Sequence, residues 1–447
     1  MNAQPPTPRS ESLPMTAPAA GRILISGGTL IDPATLTETV GDLAIADGQI
    51  VGFAQAPAGF KADQTINASG CLVLPGLVDL RARVGMPAFY GNGALESELS
   101  IAARYGITRL VCPPDTNPAL DEPGLVHMLL HAAQIHGQAQ LHALGALTRR
   151  LEGNELASLH TLARAGCVGF SQGDAPIANS QMLHRAMQYA ATHQQTLWLR
   201  PLDANLGKGV AASGALCTRM GLEGIPVAAE TIALYTIFEL VRATGVRVHL
   251  QGLSSAASID LMRWGKKEGL PITCDVTINS LHLTDADIGF FDSRASLSPP
   301  LRQQRDRDAL QKALADGTID ALVSDHSRVS KDGKALPFTS AQVGARGFEL
   351  LLSLALHWQQ QHKLPLAQAL QCVTSRPAAI LGQHAASLQI GQPADICIVN
   401  AQADNPINTD AAFMPLSPFA LDLSGFALQG QVRATLVAGQ VCYAAHN

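Results

Sequence analysis

Apolar and polar positions alternate in a short, strand-like pattern at both ends of this chain. Residues 22–28 form a short apolar run that ends in a turn signal. Residues 42–52 hold two apolar runs joined by an Asp-Gly dipeptide, which is typical of a tight hairpin. Residues 394–399 and 432–441 repeat this pattern near the other end. We therefore predict antiparallel strands at both ends of the chain.

The pattern changes between these ends, where short β-branched runs alternate with longer alanine- and leucine-rich segments that are typical of helices, such as 94–105 and 231–244. The candidate strands are residues 71–78, 109–112, 141–146, 167–170, 196–199, 246–250, 272–276 and 321–323. Such β/α alternations over about 300 residues predict a parallel (β/α)8 barrel. The predicted α/β architecture is a TIM-type barrel over 74–385, a small β-sandwich domain built from 21–73 and 386–447, and a disordered tail over 1–20.

Composition narrows the functional classes. The 447 residues are 47% hydrophobic and 15% charged, which suits a globular protein with a large core. A net charge of −5 gives no basic field for nucleic acid, and no apolar stretch reaches the roughly 18 residues that a membrane span needs. The eight cysteines form no C-x-x-C pair, so we expect free, buried thiols in a cytoplasmic protein.

The sequence LPGLVDL at 74–80 is similar to the first barrel strand of the amidohydrolase superfamily. Further segments, in the order found in that superfamily, resemble its dihydroorotase branch. The other similar segments are 104–118, 298–302, 308–310, 317–326, 337–338, 347–349, 376–382 and 391–395. The resemblance covers about residues 22–443. It implies a barrel whose C-terminal mouth holds one or two zinc ions, which activate a water and polarise the amide carbonyl of the substrate.

The residues at the mouth depart from that pattern. The positions of two metal-binding histidines after the first strand hold Arg81 and Arg83. The arginine that binds the substrate carboxylate in the family falls on Gly85, and an asparagine of the second-strand signature falls on Asp115. Each of these changes removes a metal or substrate contact that the resemblance would imply.

The remaining ligand positions show the same loss. The bridging-acid positions hold Gln172 and Gly173, although Asp174 lies one or two residues later and a local shift would return it. Further metal-histidine positions hold Arg200, Gly252 and Asn279, the last followed by a serine. Only the acid Asp325 is clearly retained; in active relatives it binds metal and takes a proton from the water.

These substitutions predict a site without metal, cofactor or catalytic residue. A catalytic zinc needs at least three protein ligands, and arginine stays protonated. A divalent ion about 4 Å from one guanidinium faces roughly 8 kcal/mol of repulsion at an effective dielectric constant of 20. A complete structural site supplies about 10–16 kcal/mol. We expect Arg81, Arg83 or Arg200 to pair with Asp325 instead, and His249 and His326 to be structural.

Three functions remain open. The resemblance implies a catalytically inactive dihydroorotase homologue that serves as an assembly subunit for aspartate transcarbamoylase in pyrimidine biosynthesis. Its expected partners are the transferase catalytic chain and further copies of itself. One alternative is an amidohydrolase-type enzyme that acts on a cyclic amide or ureide through a non-standard site, with the arginines binding an anionic substrate. The other is a small-molecule sensor that keeps the pocket for binding alone.

Overall fold

A computed structural model describes residues 21–85, 92–405 and 428–445. The tail expected over 1–20 lies outside these residues. Eight parallel strands surround the core in chain order, and neighbours in this order are hydrogen-bonded. They are β6 (Leu77–Asp79), β8 (Ile107–Cys112), β9 (Gln140–Ala146), β10 (Gly169–Ser171), β11 (Leu197–Leu199), β14 (Val248–Leu250), β15 (Ile272–Thr277) and β16 (Ala321–Val323). The predicted barrel is confirmed.

The single strand predicted over 71–78 is wrong, because the chain changes sheets within it. β5 (Leu72–Pro75) pairs with strands from the chain ends, whereas β6 begins the barrel. Gly76 separates the two strands, and a Cβ at this position would lie 2.1 Å from Cγ2 of Thr108. Only glycine lets the backbone pass this close to β8 where the chain changes direction. The sheet built from the chain ends therefore continues to Pro75.

The barrel is closed at its mouth by contacts between the first and last strands. The carboxylate of Asp79, at the end of β6, accepts hydrogen bonds from the backbone nitrogen of Ser324 at 3.1 Å and from its hydroxyl. Directly beyond, β7 (Ala82–Arg83) pairs in parallel with β17 (His326–Ser327). This closure brings the residues after the first strand beside those after the eighth.

Helices alternate with the barrel strands and cover them. Those of at least ten residues are α1 (Asn92–Arg104), α2 (Pro123–His136), α4 (Ser180–Thr192), α6 (Val227–Thr244), α7 (Ala256–Glu268), α9 (Gln304–Ala315) and α11 (Leu351–His362). The shorter ones are α3 (Leu159–Arg164), α5 (Ala215–Met220), α8 (Ile278–His282), α10 (Lys331–Lys334), α12 (Leu366–Leu370) and α13 (Ser375–Leu381). Side-chain caps fix several starts; for example, Asn179 accepts from the backbone of α4, and Ser255 accepts from that of α7.

The strands from the two chain ends form one sheet with its own apolar core. They are β1 (Ile23–Asp32), β2 (Thr37–Ala46), β3 (Gln49–Ala54), β4 (Gln64–Asn67), β18 (Ile396–Asp404), β19 (Gln429–Val437) and β20 (Gln440–Ala444). With β5 they follow the order β20-β19-β18-β5-β1-β2-β3, and β4 pairs with β1. The predicted hairpin is the antiparallel β2–β3 pair. A separate two-stranded ladder joins β12 (Ala211–Ala212) to β13 (Gly224–Ile225).

Polar contacts fix this sheet to the barrel. Arg109 of β8 donates to the carbonyl oxygen of His384 at 2.8 Å and lies 3.4 Å from the carboxylate of Asp395. The carbonyl oxygen of Asp395 accepts from Gly76, also at 2.8 Å.

All eight cysteines are free, and six of them are buried, as expected. None of the described helices combines the length and hydropathy that crossing a bilayer requires.

Candidate functional site at the barrel mouth

Arg81 is a fully buried cation at the mouth of the barrel. It follows β6, and its side chain is 2% exposed. Its Nη2 lies 2.7 Å from Oδ1 of Asp174, and its Nε lies 3.0 Å from Oδ1 of Asp325. Because a buried guanidinium without counterions would be costly, these two carboxylates account for its burial.

Arg83 joins the same carboxylates to a third. Its Nη2 lies 2.8 Å from Oδ2 of Asp115 and 3.1 Å from Oδ2 of Asp174. Its Nη1 lies 3.5 Å from Oδ1 of Asp325. The guanidinium also donates from Nε to Asp115, so this pair is a bidentate, charge-assisted contact.

Arg200, at the end of β11, completes the group. Its Nη1 lies 3.3 Å from Oδ1 of Asp174 and donates to the hydroxyl of Ser298. The expected pairing with Asp325 is therefore made by Arg81 and Arg83, while Arg200 pairs with Asp174. We call the six charged residues the arginine–aspartate cluster: Arg81, Arg83, Arg200, Asp115, Asp174 and Asp325. Three guanidinium groups and three carboxylates give it a formal charge of zero.

Asp174 reaches the cluster through a left-handed turn at the preceding residue. Gly173 has φ of 61°, and a Cβ there would lie 2.7 Å from Cβ of Asp115. The backbone nitrogen of Gly173 donates to Oγ of Ser171 at 3.0 Å, which holds the turn in place. Sequence reasoning left the position of Asp174 open and did not identify Asp115 as an arginine partner. The sequence offered one signal for both aspartates. Three arginines at a predicted buried site require three acidic partners.

Two carboxylates of the cluster, Asp174 and Asp325, have opposite pKa shifts because their surroundings differ. Burial raises the pKa of Asp325 to about 6, and this outweighs the lowering caused by Arg81 and Arg83. Burial also opposes ionisation of Asp174, but three adjacent guanidinium groups together hold the pKa of that carboxyl well below its ordinary value. Asp174 is therefore the firmly ionised centre of the cluster.

The residues at the mouth do not fit the zinc ions that the resemblance implies. Gly252 has φ of 65°, and a Cβ there would lie 2.4 Å from Nη1 of Arg81. Arg81 thus fills the space that a ligating side chain at residue 252 would need. Within the three described stretches, no group of three or more histidine, cysteine, aspartate or glutamate side chains is arranged to hold a metal. Protonated guanidinium groups cannot replace such ligands.

Three other predicted site residues lie around the cluster. Among the described residues, none of the three makes a hydrogen bond or an ion pair with a member of the cluster. Oε1 of Gln172 accepts from Oγ1 of Thr148 at 3.0 Å. Asn279 is buried in α8, directly after β15. Gly85 has φ of 80° and ends the first described stretch. These three residues are brought to the mouth but are not part of its charge pairing.

Two buried histidines near the mouth hold structure. His249 has its ring nitrogens 2.9 Å from Oγ1 of Thr273 and 3.0 Å from Oδ2 of Asp275. In His326, Nδ1 accepts from the backbone of Gly347 at 3.2 Å, and Nε2 lies 3.0 Å from a carboxylate oxygen of Glu98. Although burial opposes ionisation of Glu98, the contact with His326 lowers the pKa of that carboxyl. Each ring therefore has a polar group within 3.2 Å of both nitrogens, which fits a structural role.

Comparisons with known proteins agree with this architecture. The model of the amidohydrolase family matches residues 72–442. A "Dihydroorotase-like protein" of Pseudomonas aeruginosa is 39% identical over 423 residues, which is 94% of this chain and 99% of the relative. A "Dihydroorotase" of Syntrophotalea carbinolica is 32% identical, over 94% of this chain and 99% of its own length.

Solved structures show the same fold at lower identity. An L-hydantoinase from Arthrobacter aurescens superimposes with a TM-score of 0.81 at 21% identity and covers 94% of this chain and 96% of its own. The barrel, the sheet built from both chain ends and the family match over most of the sequence lead to one conclusion. The chain belongs to the amidohydrolase family, and within it the chain is dihydroorotase-like.

Proposed function

We propose that this chain is a catalytically inactive dihydroorotase homologue that acts as an assembly subunit for aspartate transcarbamoylase in pyrimidine biosynthesis. The observation that carries the proposal is the arginine–aspartate cluster, which occupies the positions where active relatives hold metal. Its charges are balanced internally, with Arg81 only 2% exposed and in contact with two carboxylates. A charge-balanced cluster supports folding, and its carboxylates are held in ion pairs instead of serving as a base.

The chemistry of the active family supports the same proposal. Interconversion of a cyclic amide and its open acid needs an activated water and a polarised carbonyl, which metal ions provide in metal-dependent hydrolases. Asp325, whose counterpart takes the proton from that water, is 3.0 Å from Arg81 and 5% exposed. Its carboxylate is held in ion pairs, and the adjacent Gly252 carries no side chain that would bind a metal.

The cluster also suits a scaffold, because its members come from the ends of five barrel strands. Arg81 follows β6, Asp115 follows β8, Asp174 follows β10, Arg200 follows β11 and Asp325 follows β16. The ion pairs therefore connect the mouth across the barrel instead of stabilising one loop. The identity of the partner rests on the resemblance to the inactive dihydroorotase-like chains that accompany some bacterial transcarbamoylases.

Co-expression with the aspartate transcarbamoylase catalytic chain of the same organism tests the assembly role. We expect one particle that contains both chains in size-exclusion chromatography with light scattering, and a more stable or more active transferase than without this chain. A matched control carries Asp260→Ala, which changes an exposed side chain far from the cluster in sequence. Identical particle size and transferase activity with and without this chain would reject the assembly role.

A separate assay tests the absence of catalysis. The purified chain should not interconvert dihydroorotate and carbamoyl aspartate, with or without added zinc. An active dihydroorotase assayed in parallel shows that the conditions support turnover. Zinc-dependent turnover by this chain would show that it is catalytically active. The result of the assembly experiment would not be affected.

A further inference from the structure

A cavity lies beside the arginine–aspartate cluster and shares Arg200 with it, between the mouth ends of β10 and β11 and the helices α4 and α6. Its volume is about 160 Å³, close to that of a cavity that admits a benzene-sized molecule. Much of its wall is apolar, with contributions from Ile177, Leu183, Leu199, Ile232 and Ile237. Ile232 is 47% exposed, which places part of the rim in solvent.

Gln172 gives this wall a buried donor that lacks an acceptor. Its Oε1 accepts from Oγ1 of Thr148, and that hydroxyl oxygen itself accepts from the backbone nitrogen of Gly153 at 2.9 Å. In this arrangement the Thr148 hydroxyl donates its proton to Oε1 of Gln172, so the amide nitrogen is the atom that needs another partner. Nε2 of Gln172 has no hydrogen-bond partner among the described residues, although the residue is only 2% exposed.

Arg200 supplies further donors to the same wall. Its contacts with Asp174 and Ser298 both use Nη1. The side chain is 7% exposed, and the residue lines the cavity. The cavity is thus lined by a buried amide nitrogen without a protein acceptor and by a guanidinium that is paired through Nη1.

One acidic residue also lines this cavity. This residue is Asp203, and its Oδ1 accepts from the backbone nitrogens of Asn205 and Leu206, each at 2.9 Å. Arg200 is already counted in the neutral arginine–aspartate cluster, so the wall does not call for an anionic ligand. It favours an oxygen acceptor for hydrogen-bonding reasons.

We propose that this cavity binds a small ligand with an apolar body and a carbonyl-type oxygen, as in a carboxamide or a carboxylate. The oxygen accepts from Arg200 and Gln172, and the apolar body packs on the aliphatic wall. Such a ligand supplies the missing acceptor and removes apolar surface from water at the same time. This site lies beside the arginine–aspartate cluster and is independent of the assembly role, because the isolated chain is sufficient to test it.

Titration calorimetry of the purified full-length chain tests the site with benzamide, benzoate and toluene. These probes share a ring of suitable size, and only the first two carry the oxygen acceptor. We expect benzamide or benzoate to bind with a dissociation constant in the millimolar range or below. Ala233→Leu, which fills the cavity from α6, should weaken this binding at least about tenfold. Ala243→Leu, on an exposed position of the same helix, should leave it unchanged.

The outcomes separate the explanations. Toluene that binds as tightly as benzamide would overturn the role of the donors, and no binding of either oxygen-bearing probe would overturn the site. Equal binding to the wild type and to Ala233→Leu would place the probe elsewhere. Circular dichroism of both variants shows whether they are folded, and a crystal soak with the bound probe locates its oxygen relative to Arg200.

Discussion

Replacing Asp325 by alanine perturbs the arginine–aspartate cluster at its most buried ion pair. The carboxylate is 5% exposed and lies 3.0 Å from Nε of Arg81, whose side chain is 2% exposed. The substitution leaves Arg81 with Asp174 as its remaining contact, at 2.7 Å. If the cluster stabilises the fold, its loss should appear as a lower free energy of unfolding.

The expected magnitude follows from opposing effects. At 3.0 Å and an effective dielectric constant of about 20, the pair attraction is about 5–6 kcal/mol. Burial raises the pKa of Asp325 from 3.8 to about 6 even though the arginines lower it, so ionising it in the fold costs about 3 kcal/mol more than in water after their attraction is included, and the loss on substitution comes from leaving Arg81 with one counterion fewer. Breaking a buried pair typically costs about 3–5 kcal/mol. Because Arg81 keeps Asp174, we expect a net loss of about 1–3 kcal/mol for Asp325→Ala.

Denaturant unfolding followed by circular dichroism measures this loss at neutral pH. Asp260→Ala serves as the control, since Asp260 is 78% exposed and its pair with Arg263 should contribute less than about 0.5 kcal/mol. A double-mutant cycle with Arg81→Met isolates the pair, and the double variant should lose less than the sum of the two single changes.

Two results would refute the reasoning. An Asp325→Ala variant as stable as Asp260→Ala would show that the carboxylate does not stabilise the mouth. Additive losses in the cycle would show that Asp325 and Arg81 do not act on each other, whatever their distance.

Three further predictions concern backbone space, pH and metal. Gly252→Ala should lose at least about 1 kcal/mol more than Gly221→Ala, because both have φ of 65° but only the first meets a guanidinium; equal losses in urea unfolding would contradict this. Burial raises the pKa of Asp79 to about 6, above its unfolded value. Its stabilising contribution is therefore present below about pH 4 and lost as pH rises through 6. The difference in the free energy of unfolding between wild type and Asp79→Asn should shrink by about 1–3 kcal/mol between pH 4 and 7. Parallel pH profiles of the two proteins would argue against this. The wild type should hold well under one zinc per chain by elemental analysis. Changing the three cluster arginines together to histidine should restore no dihydroorotase activity, because Gln172 and Gly252 still supply no ligand. Tightly held zinc in the wild type, or turnover by the triple variant, would refute these predictions.

The order of elements could be predicted from the sequence because it depends on local patterns. Short β-branched runs separated by helical segments located the barrel strands, although the first run merged β6 with β5 of the end sheet, and the last was predicted with its observed bounds, Ala321–Val323. The Asp-Gly dipeptide located the β2–β3 hairpin for the same reason. The loss of ligating side chains at Arg81, Arg83 and Arg200 was also visible, since a residue type needs no coordinates once its position in the barrel is known.

The tertiary structure alone decided how these charges are paired. Arg81 meets Asp174 across 93 positions of the chain, and Arg83 meets Asp325 across 242. These contacts exist because the β7–β17 pairing closes the barrel and because Gly173 adopts a left-handed conformation. The sequence therefore determined which charges stand at the mouth, whereas barrel closure determined their partners, since an ion pair depends on distances of a few ångströms between segments that are remote along the chain.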